Sequence, residues 1–217
     1  IYPRPDYSAC VGTIFLGAKR KQAILTSHCG AQRKSGMRFI ERFLPQTEAA
    51  AWLTELEDPR FVHWQQESFR IYGRRVQAPR QLAWFGDAGL NYRYTGIDHP
   101  AEGWPPALQA LKDRVEDQAC QRFNFLLLNR YADGADYMGW HRDDEQGCSG
   151  QIASLSIGAT RRFSIDVAAS DGGIDRQTLE LDSGSLLIFD GQQRHCLRAT
   201  KKPCGLRINL TFRQLAL

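Results

Sequence analysis

Near the C-terminus apolar and polar residues alternate strictly, Leu206, Ile208, Leu210 and Phe212 interleaving with Arg207, Asn209, Thr211 and Arg213. Period two is the signature of a strand and sorts the two sets onto opposite faces. The polar face has two readings. It meets solvent, or it lines the cavity of a barrel or jelly roll, where two arginines can hold an anion through charge-assisted hydrogen bonds. Upstream of this run, from Phe123 onward, short extended segments recur: Phe123–Arg130, Gln151–Ile157, Arg162–Val167, Thr178–Leu181, Ser185–Phe189 and Leu206–Arg213. Turn stretches such as Asp171-Gly172-Gly173 and Asp182-Ser183-Gly184 separate them, as expected of a sandwich or jelly roll. Before Phe123 the period is helical. Good helix formers follow Pro45 up to Glu57, just ahead of Pro59, and Pro105-Pro106 opens a second helix on which Leu108, Leu111, Val115 and Ala119 share a face. Helices first and strands after predict an α+β fold with a β core and the helices packed on one sheet.

Residues 1–36 show neither period. They are expected to be a poorly ordered basic tail, with Met37 opening the folded domain that runs to residue 217; the tail is either upstream sequence or an arm that touches nucleic acid. Charge supports the division, because the formal +4 of the whole chain resolves into +5 over residues 1–36 and −1 over the remainder. A polyanionic partner therefore requires a local patch. At 217 residues and 42% apolar, the chain can bury one sizeable core. No apolar run approaches the ~20 residues of a membrane-spanning helix, and Val11 to Leu16 is followed rather than preceded by Lys19, Arg20 and Lys21. Six cysteines without a CxxC pair read as reduced thiols and do not suggest zinc. The expected setting is the cytoplasm, or the nucleus of a eukaryote, without secretion or membrane insertion.

The candidate chemistry centres on Gly139-Trp140-His141-Arg142-Asp143, with His195 lying 54 residues beyond His141. In an extended segment His141 and Asp143 face one way and Arg142 the other. His-x-Asp by itself is most often just a hydrogen-bonded pair. A second histidine from a later strand would complete a facial set of two imidazoles and one carboxylate, which leaves positions open on a bound Fe(II). His195 lies after the strand predicted to end at Phe189, and the two-arginine strand begins eleven residues after it.

Asn129-Arg130-Tyr131, Trp140-His141-Arg142-Asp143, His195 and the ending Arg207-Ile208-Asn209-Leu210-Thr211-Phe212-Arg213 resemble the AlkB family of Fe(II)- and 2-oxoglutarate-dependent dioxygenases, in family order from about Met37 to Arg213. The resemblance implies a double-stranded β-helix, or jelly roll. It places His141, Asp143 and His195 on the iron ligands, Arg207 on the distal carboxylate of 2-oxoglutarate, Arg213 near the ligand carboxylate, and Asn129 and Tyr131 at further cosubstrate contacts. Arg130, on the opposite face of its strand, is expected to be structural. With O2 as the third component, 2-oxoglutarate becomes succinate and CO2, an N-methyl group is hydroxylated, and formaldehyde leaves the restored base.

The same resemblance suggests the substrate. Residues 85–94 (Phe85 to Tyr94) look like the nucleotide-recognition region of members acting on duplex DNA, with Tyr94 on an aromatic that stacks on the flipped base, Tyr92 on a neighbouring pocket position and Glu145 on an acceptor for an exocyclic amine. Arg60 to Arg80 holds five arginines and one acid, and Tyr72 would tip a finger that wedges between base pairs, with Arg80 a further phosphate or strand contact. A buried aromatic strand and a solvated turn are the plainer readings of these segments. The expected partner is methylated DNA, single- or double-stranded, or RNA, bound by a monomer and carrying lesions such as 1-methyladenine and 3-methylcytosine. Two other functions remain open: the same iron chemistry on a protein or small molecule, and a non-catalytic reader of modified bases.

Overall fold

The structure, a computed structural model, describes residues 37–71, 73–94, 97–144, 147–169 and 171–216. The basic tail, Tyr72 and Glu145 lie outside the described residues. The chain opens with β1 (Arg38–Ile40) and α1 (Gln46–Glu57), then two hairpins with a strand between them: β2 (Ser68–Ile71) with β3 (Arg74–Gln77), β4 (Gln81–Gly86), and β5 (Asn91–Tyr94) with β6 (Ile97–Pro100). After α2 (Pro106–Ala119) come β7 (Phe125–Tyr131), β8 (Met138–His141), β9 (Cys148–Gly158), β10 (Arg161–Ala168), β11 (Ile174–Leu181), β12 (Leu186–Asp190), β13 (His195–Leu197) and β14 (Arg207–Leu215).

The core strands form two sheets, both antiparallel throughout. One has the order β1-β12-β9-β14-β7-β4 and the other β11-β10-β13-β8. The alternation in β14 is resolved in favour of a cavity: Ile208, Leu210 and Phe212 face the helices, while Arg207, Asn209, Thr211 and Arg213 are buried between the sheets. The helix side is closed by Ala49 and Leu56 of α1 and by Leu108, Leu111 and Val115 of α2, packed on Leu126, Leu128, Leu155 and Ile188. Both helices thus cover one sheet, as their sequence pattern predicts. Between the sheets Tyr131, Ile152, Leu187 and Phe189 meet Phe163, Ile165, Leu181 and Leu197.

β14 inserts between β7 and β9, with Asn209 opposite Asn129 on one side and Ser156 on the other. Gly158 allows this entry. It ends β9 at φ +88°, and a Cβ there would strike the Leu206 carbonyl just ahead of β14. Buried polar bonding also ties the two hairpins together. His99 Nδ1 lies 3.1 Å from the Tyr92 carbonyl, which can only accept, so that nitrogen carries a proton; Nε2 lies 2.9 Å from Oε1 of Glu67, next to the start of β2. Arg130 sits on the opposite strand face from Asn129 and Tyr131, bonded to Glu57 at the end of α1.

β9, β10, β11 and β14 run longer than predicted, β7 begins two residues later and is one residue shorter, and β12 keeps its predicted length one residue further on. Four short strands, β1, β4, β8 and β13, had no periodic signal long enough to be read and are defined by their partners across the sheet.

Candidate metal and cosubstrate site

β13 pairs with β8 so that His195 stands opposite His141, their ring centroids 4.2 Å apart. Asp143 follows β8 and is anchored by its N–H to the Gly191 carbonyl at 3.0 Å. His141 Nε2 is 3.5 Å from Asp143 Oδ1 and His195 Nε2 is 3.9 Å from Asp143 Oδ2; one donor atom from each residue lies within 4.8 Å of the others. The imidazoles are oriented from behind. Nδ1 of His141 is 2.9 Å from the Gly139 carbonyl and Nδ1 of His195 is 2.8 Å from the Gln193 carbonyl. A carbonyl has no proton to give, so each Nδ1 is the donor and each Nε2 is turned to the same point, the way metal-binding histidines are oriented by the bond their other nitrogen makes.

The electrostatics agree with the geometry. Burial pushes His195 down to about 4, against the pull of Asp143, so its ring is neutral at pH 7. Burial works against ionisation of Asp143 as well, but the Arg213 guanidinium, with His141 and His195 adding to it, holds the carboxyl below the usual carboxylate range. Arg213 Nη2 lies 2.9 Å from Asp143 Oδ1. Two imidazole nitrogens and an anionic oxygen make a donor set that fits a divalent iron.

The keto-acid end is equally specific. Arg207 is 2% exposed, donates through Nη2 to Ser156 Oγ at 3.0 Å, and leaves Nε without a partner. Burial lowers it to about 10, with Arg161 acting in the same direction, so it remains charged at neutral pH. Its guanidinium lies 5.5 Å from the centre of the Tyr131 ring, and among the described residues no carboxylate pairs with it. An unpaired cation at that depth is costly unless an anion joins it, and a dicarboxylate whose other end reaches the metal satisfies both needs. Asn129, Tyr131, Asn209 and Thr211 line the same cavity.

The other expected residues are distributed differently. Tyr92 is 1% exposed, and its hydroxyl accepts a hydrogen bond from Arg213 Nη1, which places it behind the ligand carboxylate. Arg80 is corrected from a phosphate contact to a buried donor, its Nε 2.8 Å from Asn129 Oδ1. The backbone of Tyr94 lies in β5, but its side chain, like Tyr72 and Glu145, is outside the described structure. Sequence reasoning missed Ser154, Ser156 and Arg161. The serines alternate with Leu155 and Ile157, a signal equal to that in β14. Arg161 bonds the carbonyls of Asp133, Asp136 and Arg198 and closes the loop ahead of β8, but it looks like any basic strand end.

Comparison with known proteins defines the class. A family model for the 2OG-Fe(II) oxygenase superfamily matches residues 36–213, and the chain belongs to that superfamily. Within it the relatives are AlkB proteins. The chain is 39% identical over 157 residues to the DNA oxidative demethylase ALKBH2 of Mus musculus, covering 67% of this chain and 66% of that protein. It is 36% identical over 165 residues to the alpha-ketoglutarate-dependent dioxygenase alkB homolog 3 of Homo sapiens, covering 70% and 57%. The chain thus spans less than two thirds of either relative's length. The solved structure of OsALKBH1 shares the fold, with a TM-score of 0.54 at 17% identity over 85% of this chain and 100% of that one. Among the described residues, no helix is long and apolar enough to cross a membrane.

Proposed function

We propose that the protein is an Fe(II)- and 2-oxoglutarate-dependent dioxygenase that removes methyl groups from ring nitrogens of nucleobases in DNA, with 1-methyladenine and 3-methylcytosine as substrates. The observation that carries the reading is the convergence of His141, Asp143 and His195 beside Arg207, a buried cation with no counterion among the described residues. The names of the relatives support the substrate. The bound iron, keto acid and O2 would supply a two-electron oxidation of a methyl C–H bond, driven by decarboxylation to succinate and CO2.

The chain's own residues supply position. His141 and His195 would hold the metal through their Nε2 atoms, and Asp143 would add the one anionic ligand, its charge secured by Arg213. Tyr92 holds Arg213 in turn. Arg207 would fix the far carboxylate of the keto acid, with Ser156 keeping the guanidinium aimed. Phe163, Phe189 and Leu197 line the remaining wall and keep water from the reacting end.

An aerobic assay with Fe(II), 2-oxoglutarate and matched single- and double-stranded oligonucleotides tests this. The expected result is one formaldehyde per restored base, with succinate formation stimulated by the methylated strand. Succinate without any dependence on methylated nucleic acid would assign the oxidation to another substrate.

A further inference from the structure

The outer face of the four-stranded sheet has two unlike halves. On β10 and β11 the charges are neutralised across the ladder: Arg162 Nε is 3.3 Å from Glu180 Oε1 and Arg176 Nε is 2.8 Å from Asp166 Oδ1, each pair in register. The β13–β8 half lacks that balance. Since His141 and His195 face the cavity, period two turns Trp140 and Arg142 of one segment, and Arg194 and Cys196 of the other, to the opposite face of the sheet, where Cys196 is covered. Arg198 follows β13 and is exposed, as are Arg142 and Arg194. Among the described residues none of these three arginines has a carboxylate within ion-pair distance.

Arg198 lines a groove of about 300 Å³ together with Tyr137, Trp140 and Cys196, and Arg194 adjoins it by packing on the Trp140 ring. Trp140 orders the cations beside it. The Arg194 guanidinium lies 5.3 Å and that of Arg176 4.3 Å from the ring centroid, and stacking of this kind reduces the side-chain freedom left to lose when an anion binds. Tyr137, 45% exposed, presents an aromatic surface alongside. Met138 lines both the groove and the metal cavity, so one side chain separates them, and β8 is the edge strand around which a ligand would pass.

Neighbouring arginines without a carboxylate in ion-pair distance repel each other, Asp166 acting on Arg194 only through space, whereas the other half of the same sheet pairs its charges directly. Phosphodiesters are evenly spaced anions and bases are flat stacking partners, and a polynucleotide supplies both. We propose that the outer face of β8 and β13 is a track for the nucleic-acid strand flanking the target base, with Arg194 and Arg198 on its phosphates and Arg142 at the end nearest the iron ligands. The proposal rests on the demethylase reading and adds a second contact region outside the cavity.

The test compares the full chain with R194Q/R198Q, which leaves the metal and keto-acid residues untouched, and with R162Q from the neutralised half. Binding of a labelled single-stranded oligonucleotide is followed by fluorescence anisotropy over a range of salt concentrations. The double variant should bind on the order of tenfold more weakly, and its log–log salt slope should be shallower by about 1.4, the value for two lost phosphate contacts on a single strand. R162Q should match the parent, and kcat on a methylated trinucleotide, too short to reach the groove, should be unchanged. Unchanged affinity and slope in the double variant, or equal losses in R162Q, would overturn the track. So would displacement of the oligonucleotide by polyglutamate as effective as displacement by unlabelled strand. If the parent releases no formaldehyde from any oligonucleotide while the slopes still differ, the demethylase reading fails and the track stands.

Discussion

Arg207 is held at a cost that only a ligand offsets. Its guanidinium is buried with one hydroxyl partner, a neighbouring cation in Arg161 that disfavours its charge, and an orphaned Nε. Replacing even a buried ion pair with well-packed apolar side chains is often neutral or stabilising by about 1–4 kcal/mol, and a buried cation without a paired carboxylate lacks the attraction that offsets its desolvation. Arg207→Met should therefore raise the melting temperature of the unliganded protein by several degrees, at ~2–4 °C per kcal/mol for a chain of this size. The same change should raise KM for 2-oxoglutarate on the order of 100-fold, since a hydrogen-bonded charge partner contributes about 1.5–3 kcal/mol. Differential scanning fluorimetry and steady-state kinetics read the two effects, and an unchanged KM would remove Arg207 from the cosubstrate site. The position of Arg207 was legible because β14 alternates without a break over eight residues. Arg80 and Tyr92 were not legible in the same way. An arginine after proline reads alike whether it reaches out to a phosphate or in to Asn129, and a tyrosine on a strand reads alike whether its ring meets a base or its hydroxyl meets Arg213.

Among the elements, α2 shows how a helix predicted from its apolar face is fixed by polar bonds that periodicity does not reveal. Glu116 is buried near its C-terminal end and accepts from Lys112 Nζ at 2.8 Å, Arg122 Nη1 at 2.6 Å and the Phe123 N–H at 2.8 Å. It thereby pins the helix to the segment that leads into β7 and the site. Burial raises the pKa of its carboxyl, but the three donors outweigh it and hold the group below its ordinary value of 4.5. A carboxyl lowered on folding contributes stability that is present above the unfolded pKa and is lost as pH falls through the folded one. Glu116→Gln should thus destabilise the protein at pH 7 by about 1–3 kcal/mol. Urea midpoints of parent and variant should converge as the pH falls below 4.5; a gap that stays constant down to the acid transition would mean that Glu116 is not the titrating group. The helices and long strands were visible in sequence because their periods repeat several times. β13 spans three residues, too few for any period, and is a strand only because β10 and β8 flank it.

At the scale of the molecule, the site belongs to neither sheet alone. β14 of the larger sheet contributes Arg207 and Arg213, while β8, the extended segment after it and β13 of the smaller sheet contribute His141, Asp143 and His195. Ligands that bridge these groups should stabilise the packing of one sheet on the other, because anything bound only by the folded form adds RT ln(1 + [L]/Kd) to its stability. At a hundredfold excess over Kd that is about 2.7 kcal/mol, or roughly 5–10 °C in melting temperature. Mn(II), which supports the coordination without the redox turnover of iron, serves as the probe together with 2-oxoglutarate. The pair should shift the parent by that amount and slow amide exchange in β8, β13 and β14 together. In Asp143→Ala the Mn(II)-dependent part of the shift should disappear, leaving only what 2-oxoglutarate gains from Arg207. Persistence of the full shift in that variant would place the metal elsewhere, and slowed exchange confined to a single sheet would mean that the ligand does not span the two.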